Sequence, residues 1–302
     1  MMNIEKLKQK ILDLAIRGKL IPQDPNDESA EELIKKIQKE KQRLIKEGKI
    51  KTSKNESYIF KGSDNSYYEK IGNDIKNIDE EIPYEIPNKW TWCRLNSIGT
   101  IIGGGTPSTS VKQYWENGNI VWITPYDMSQ LTSQFIYNSG RKITAEGLDH
   151  CSAKLMPPDS VIMSSRAPIG YLAINKVLAC TSQGCKSIIP YQQDMSMFLL
   201  YSIKSGINRI IEASSGTTFD EISGADFGNI LIAMPSLFEQ KRISSLLSKT
   251  EELLSIIVTN QKSIKKIIPI IKKKILDEIF GENSSYKSYY RKKINITADV
   301  EI

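Results

Sequence analysis

The stretch LFEQKRISSLLSKTEELLSIIVTNQKSIKKIIPIIKKKILDEIF, from Leu237 to Phe280, decides the architecture. Within it Ile243, Leu246, Thr250, Leu253, Ile257, Asn260, Ile264, Ile267 and Ile271 follow one another in steps of three and four. That is a period of about 3.5 residues held over about four heptads, the mark of a helix with a coiled-coil seam. Thr250 and Asn260 are polar members of the seam, which fix register at some cost in stability. Pro269 is expected to kink or divide the helix, because it lacks an amide proton and clashes with the preceding turn. At about 1.5 Å per residue the pieces span roughly 60 Å. A single apolar stripe of that length needs a partner in water.

Outward from this helix the pattern changes three times. Near the start, Ile4, Leu7, Ile11 and Leu14 lie in 3,4,3 spacing, which predicts a helix over Asn3–Leu20 with Gly18 and Lys19 as its stop. The turn Pro22–Asp27 follows, and Ser29 with Glu32 reads as a capping box opening a helix that carries Leu33, Ile37 and Leu44 and ends at Gly48. Residues 1–48 are therefore expected to form a helical hairpin. Residues 49–82 are polar and poor in aliphatics, and read as a linker with little regular structure. Residues 83–236 hold short apolar runs broken by Gly, Pro and Asn, with strands expected at Ile120–Ile123, Ser160–Ser164, Tyr171–Ile174, Ser187–Pro190 and Asn229–Ala233 and a helix at Met195–Lys204. The long helix then occupies 237–281 and a tail 282–302. Lys10-Ile-Leu-Asp13 recurs as Lys274-Ile-Leu-Asp277, a faint repeat between the two helical ends. The fold class is α+β: one mixed, β-rich domain with long coiled-coil-forming helices at both ends.

Composition bounds the function. The 302 residues are 40% hydrophobic and 25% charged, which excludes a disordered or collagen-like chain. Lys and Arg number 41 against 35 Asp and Glu, a formal charge of +6 that permits a phosphate-bearing partner. No run approaches the roughly 18 apolar residues of a transmembrane helix. The charged start MMNIEKLKQK has no apolar signal core, so a cytoplasmic protein without a membrane partner is expected. Cys93, Cys151, Cys180 and Cys185 have no metal or disulfide spacing and read as free thiols in a reducing compartment.

Catalytic constellations are scarce. His150 is the one histidine, in a polar stretch, and reads as an exposed loop residue. One histidine and scattered cysteines assemble no zinc site. Gly103-Gly-Gly-Thr-Pro107 lacks the Lys-Ser/Thr of a phosphate-cradling loop. Glu239-Gln-Lys241 with Asp226 upstream resembles a metal-dependent nuclease set, and that alternative stands beside the plainer reading that Glu239 opens a helix. Pro157-Pro158-Asp159-Ser160 has the wrong residues for the tetrad with which adenine methyltransferases hold a flipped base.

Polar loops are plentiful instead. Thr106, Ser108, Thr109 and Lys112 lie on one, Arg166 on a second, Gln183 and Lys186 on a third, and Thr217 and Thr218 on a fourth. Hydroxyls and glycine amides position phosphates, while Arg and Gln read base edges bidentately. These nine residues are the candidate DNA contacts, and no catalytic or metal-binding residue is assigned.

The ordered strings Lys8–Leu20, Pro22–Glu28, Glu40–Gly48, Tyr67-Tyr-Glu-Lys70, Glu81–Pro87 before Trp90 and Gly104–Thr109 carry a family resemblance. So do Tyr114-Trp115, Trp122–Pro125 with Asp127-Met128, Ser164–Gly170, Gly216–Phe219 with Glu221–Gly224, and Pro235 followed by Glu239–Ile243. The chain resembles the specificity (S) subunit of type I restriction–modification systems. The resemblance implies a target recognition domain over about Pro83–Pro235 that reads half of a bipartite double-stranded DNA site, and helices that act as a spacer. It implies a non-catalytic subunit, with S-adenosylmethionine on methyltransferase (M) subunits and ATP and Mg also on partner subunits, the restriction (R) subunit among them. A full S subunit has two recognition domains, and 302 residues hold one. The expectation is a half-subunit that forms a homodimer or pairs with another half-subunit through Ile243, Leu246, Leu253, Ile257, Asn260, Ile264 and Ile267. The alternative is a truncated scaffold that no longer binds DNA.

Overall fold

Gly18 is where the first helix stops. Helix α1 runs Ile4–Ile16, and Gly18 takes φ +68° as its amide and that of Lys19 close back on Ala15 and Leu14. A Cβ there would lie 2.5 Å from Pro87 Cγ, so the position requires glycine for space as well as for backbone sign. Helix α2 (Ala30–Lys46) buries Ala30, Leu33, Ile37 and Lys41. Ser29 is its N-cap in extended backbone, but the expected capping box does not form. The Lys89 carbonyl takes the Ala30 amide at 2.9 Å, and Glu32 turns to Lys35 at 2.8 Å.

The computed structural model describes residues 4–51, 56–192, 194–214 and 221–280. The chain divides into two compact units, Leu12–Ser244 and Met1–Ile11 with Ser245–Ile302.

The first unit corrects the linker expectation. Strands β1 (Ser57–Lys61), β2 (Tyr67–Ile71) and β3 (Asp74–Asn77) form an antiparallel meander inside 49–82. Ile59 is its buried apolar residue, and half-buried aromatic side chains stack across the strands: Phe60 lies opposite Tyr68 with ring centroids 5.8 Å apart. Glu69, almost wholly buried on β2, accepts Arg94 Nε at 3.0 Å and Nη2 at 2.6 Å.

Four short elements follow: β4 (Thr91–Arg94), α3 (Leu95–Ile98), β5 (Gly99–Gly103) and β6 (Ile120–Ile123). Then come α4 (Pro125–Ser129), β7 (Phe135–Ile136), β8 (Lys142–Ile143), α5 (Ala145–Asp149), β9 (Val161–Ser164), β10 (Leu172–Asn175), β11 (Ala179–Thr181) and β12 (Cys185–Pro190). Helices α6 (Ser196–Ser205), α7 (Ile207–Ser214) and α8 (Gly224–Gly228) and strand β13 (Leu231–Met234) complete the unit up to α9 (Leu237–Phe280). The expected strands all form, with ends shifted by a residue or two, and the helix expected at Met195–Lys204 is α6.

A five-stranded sheet runs in the order β5-β12-β9-β10-β7, and a three-stranded one in the order β11-β6-β8. In the larger sheet β12 is antiparallel to both neighbours, with Ser187 opposite Ile102 and Ile162. Strand β6 joins two cores by alternation. Val121 and Ile123 pack with Met128, Ile136, Met156, Ile162 and Cys185, whereas Trp122 packs with Ile143, Ala153 and Cys180. Strand β11 does the same with Ala179 and Cys180.

The turn Pro22–Glu28 is locked to the start of α9 by polar groups. Glu239, 3% exposed, accepts Trp90 Nε1 at 2.9 Å and Gln23 Nε2 at 2.5 Å. Burial pushes its carboxyl above the ordinary range against the pull of those hydrogen bonds. Arg242 pairs with Asp27, and Lys89 Nζ donates to the Pro25 carbonyl at 2.5 Å and that of Asp27 at 3.0 Å.

In the second unit α9 runs on through Pro269 without the expected division. One missing amide removes one rung of the ladder, and the flanking Ile268 and Ile270 are exposed enough for water to take its place. Among the described residues of this unit, Ile4, Leu247 and Leu254 are the buried apolar ones. Both copies of the Lys-Ile-Leu-Asp string lie on helices. The tail 282–302 lies outside the described residues. No helix among the described residues is long and apolar enough to cross a membrane.

Candidate nucleic-acid interface

Three of the four polar loops meet at one end of the large sheet. Gly104 and Gly105 donate to the carbonyls of Cys185 (3.3 Å) and Thr181 (2.9 Å), which lays the first loop on the third. A Cβ on Gly104 would fall 1.8 Å from the Ser182 carbonyl oxygen, so only glycine permits this approach. Ser165 donates to the Gly184 carbonyl at 2.8 Å, which brings the Arg166 loop to the same place. Ser182 donates to the Ile123 carbonyl, anchoring the third loop to β6.

On this surface Ser108, Thr109, Lys112 and Gln183 are exposed and Thr106 is half-buried. Lys112 begins a 3-10 turn over Lys112–Tyr114. The loop that carries it rests on a tryptophan pair: Trp115 Nε1 donates to the Ser108 carbonyl at 3.0 Å, and Trp122 Nε1 to that of Gly105 at 2.8 Å. The two indoles meet edge to face at 5.1 Å, and the Arg141 guanidinium covers Trp115 at 3.7 Å. Arg141, seated on that pair, is missed by motif reading, because nothing in its local sequence marks it.

Arg166 and Lys186 do not stand as free cations. Arg166 Nε donates to Glu221 Oε2 at 2.9 Å, and Lys186 Nζ to Glu221 Oε1 at 3.2 Å and to Ser165 Oγ at 3.3 Å. The Arg166 side chain stays 48% exposed, whereas that of Lys186, on a central strand, is 12% exposed. Burial alone would raise the Glu221 carboxyl, but the two cations outweigh it and hold it below the ordinary range. Glu221 lies 55 residues from Arg166 and 35 from Lys186, a separation that local pattern does not bridge. Thr217 and Thr218 lie outside the described residues.

The residues of the nuclease alternative are dispersed among other duties. Asp226 closes a capping box with Ser223 at the head of α8, Glu239 is buried against Trp90, and Lys241 pairs with Asp194 at 2.8 Å. Among the described residues no three His, Cys, Asp or Glu side chains gather as a metal site. His150 is exposed and stacks on Tyr114 at 5.0 Å. Cys93, Cys180 and Cys185 are buried free thiols, each pushed up to about 12 chiefly by burial.

Of the residues proposed for the seam, Ile243 is buried in the first unit at 1% exposure and so is withdrawn from any partner. Leu246, Leu253, Ile257, Asn260, Ile264 and Ile267 are exposed. The neighbouring positions Leu247 and Leu254 are the ones that face inward.

The model of the family described as "Type I restriction modification DNA specificity domain" matches residues 87–267, more than half of the chain. The MjaIX specificity subunit of Methanocaldococcus jannaschii, a type I restriction enzyme component, is 34% identical over 206 residues, 68% of this chain and 46% of that protein. The EcoAI specificity subunit of Escherichia coli is 46% identical over 102 residues, 34% of this chain and 14% of its own length. The chain thus spans less than half the length of these curated relatives. A chain from a solved structure of a type I restriction–modification system superposes with a TM-score of 0.51 at 20% identity, over 91% of this chain and 56% of that one. That likeness concerns the fold.

Proposed function

The chain belongs to the type I restriction–modification DNA specificity family, and on that premise we propose that it is the DNA-recognition subunit of such a system, itself non-catalytic. It reads one half of a bipartite duplex site and brings methyltransferase and restriction subunits to it. S-adenosylmethionine, ATP and Mg reside on those partners. The observation that carries the reading is the convergence of three polar loops, with exposed Gln183, Lys112 and Arg166, at one end of the sheet inside the matched region. Such a surface supplies phosphate contacts for affinity and base-edge donors for sequence.

A second copy of the chain supplies the other half-site. The support is the apolar stripe of α9, where Leu253 is 61% exposed and Ile264 56% exposed. A row of such side chains at heptad spacing is stable in water when another helix covers it. The assembly acts in the cytoplasm, where the DNA is.

The test is co-expression with the methyltransferase subunit of its own system in a methylation-free host, followed by mapping of N6-methyladenine. A palindromic bipartite motif is expected. An asymmetric motif would assign the second half to another recognition domain, and no methylation by an intact enzyme would favour the truncated scaffold.

A further inference from the structure

We propose that Glu221 is a positioning residue that aims Arg166 at a guanine in the major groove, an inference that rests on the DNA-recognition reading above. A guanidinium carries five N–H donors in a rigid planar fork. Glu221 takes the Nε donor at 2.9 Å, which leaves the paired Nη groups for a second acceptor. Two parallel donors on one edge match the O6 and N7 acceptors of guanine, a pattern that no other base presents in the major groove.

The carboxylate is itself held from behind. Lys186 bonds its other oxygen at 3.2 Å, and the same ammonium bonds Ser165 Oγ, beside Arg166, at 3.3 Å. The main chains are tied as well: Arg166 and Glu221 form an antiparallel bridge, and the Ile222 amide donates to the Ser165 carbonyl at 2.9 Å. The order of support runs from the mostly buried Lys186 through Glu221 to the half-exposed Arg166. Two cations share one carboxylate, so the group keeps a net positive charge facing an electronegative base edge. Lys186 thus serves as an anchor, and Arg166 as the reader.

The arrangement predicts a particular genetics of specificity. Arg166→Lys keeps the charge and loses the planar fork. Glu221→Gln keeps the size and loses the charge that fixes Nε. Both are expected to relax the same base pair.

The experiment is selection from a randomised duplex pool by the full chain in complex with its methyltransferase subunit, for the natural sequence, R166K and E221Q. The expected result is a defined motif for the natural sequence, with about a tenfold or greater loss of preference at one and the same G·C pair in both variants. Preference elsewhere in the motif is retained, and the salt dependence of R166K is unchanged because no phosphate charge is lost. Unchanged preference at every position in both variants overturns the inference and leaves the DNA-recognition reading intact. Tighter binding of E221Q with an unaltered motif also overturns it, since Glu221 would then compete with phosphate. A natural sequence that selects no motif overturns both readings. Where E221Q fails to fold, Glu221→Asp replaces it: it keeps the charge but draws it one methylene back from Nε, and is expected to relax the same G·C pair as R166K, whereas an unaltered motif in E221D beside a relaxed one in R166K overturns the positioning role.

Discussion

Replacing Glu239 with alanine removes the acceptor that joins the Pro22–Glu28 turn, Trp90 and the first turn of α9. Its carboxylate receives Trp90 Nε1 at 2.9 Å and Gln23 Nε2 at 2.5 Å in a nearly water-free setting. A hydrogen bond to a charged group contributes about 1.5–3 kcal/mol, and a buried donor left without an acceptor costs about 1–3 kcal/mol. Against this, alanine relieves the burial of a carboxylate, the cost that raises its pKa. The net expectation is a loss of about 2–4 kcal/mol, a fall in melting temperature of roughly 5–15 °C for a unit of this size. Glu239→Gln keeps an acceptor for Trp90 and lets Gln23 turn its amide, so it should cost under about 1 kcal/mol. The pH dependence gives a second reading. Because the folded carboxyl is raised, its favourable term is present below the ordinary glutamate value and lost as pH rises through the folded one. The cost of the glutamine variant relative to the natural sequence should therefore shrink from acid to neutral pH. Urea unfolding at several pH values measures both effects. An alanine variant within about 0.5 kcal/mol of the natural sequence, or a glutamine variant as damaged as alanine, would refute the reasoning.

Asp27→Asn should destabilise by about 1–2 kcal/mol at neutral pH, since the Arg242 hydrogen bond holds the Asp27 carboxyl below the ordinary range and the pair is partly exposed. The stabilisation is present at neutral pH and fades as pH falls below that range, so unfolding curves of variant and natural chain should converge in acid. Gly104→Ala should displace the first polar loop from the third and weaken specific DNA binding more than it lowers melting temperature, as measured by titration with the mapped site. If two copies pair through α9 as proposed, Leu253→Asp with Ile257→Asp should shift sedimentation from dimer to monomer and leave unfolding of the Leu12–Ser244 unit unchanged, whereas a natural chain that sediments as a monomer refutes the pairing. Native labelling with a thiol reagent should modify the half-buried Cys151 quickly and the buried Cys93, Cys180 and Cys185 only on unfolding.

Some contrasts between pattern and structure are instructive. Strand β6 was readable because Ile120–Ile123 is a short apolar run, and side-chain alternation sends its consecutive buried residues to two different cores. The meander of 57–77 was not, because its few apolar residues, with Ile59 the buried one, are scattered among tyrosine, lysine and glutamate, and its strands depend on cross-strand stacking and on Arg94, which arrives from another sheet. The glycine-rich stretch at Gly103 was legible as unusual. Its purpose appears only when Ser182 is seen against Gly104.

What the sequence by itself determined is local and periodic: two helical ends, a long helix with a repeating apolar stripe, and a β-rich middle whose polar loops are separated by strands. These follow from neighbours three, four or two residues apart, whose relations are set by backbone geometry alone. Only the tertiary structure decided which of two adjacent stripes of α9 is buried, since Leu246 and Leu247 are equally apolar and the choice depends on what packs beside them. It alone brought Gln23 to Glu239 across 216 residues, and Glu221 to Arg166 across 55. The physical reason is that a buried or shared charge is stabilised by whichever partner the fold delivers, and no period in the chain encodes that meeting.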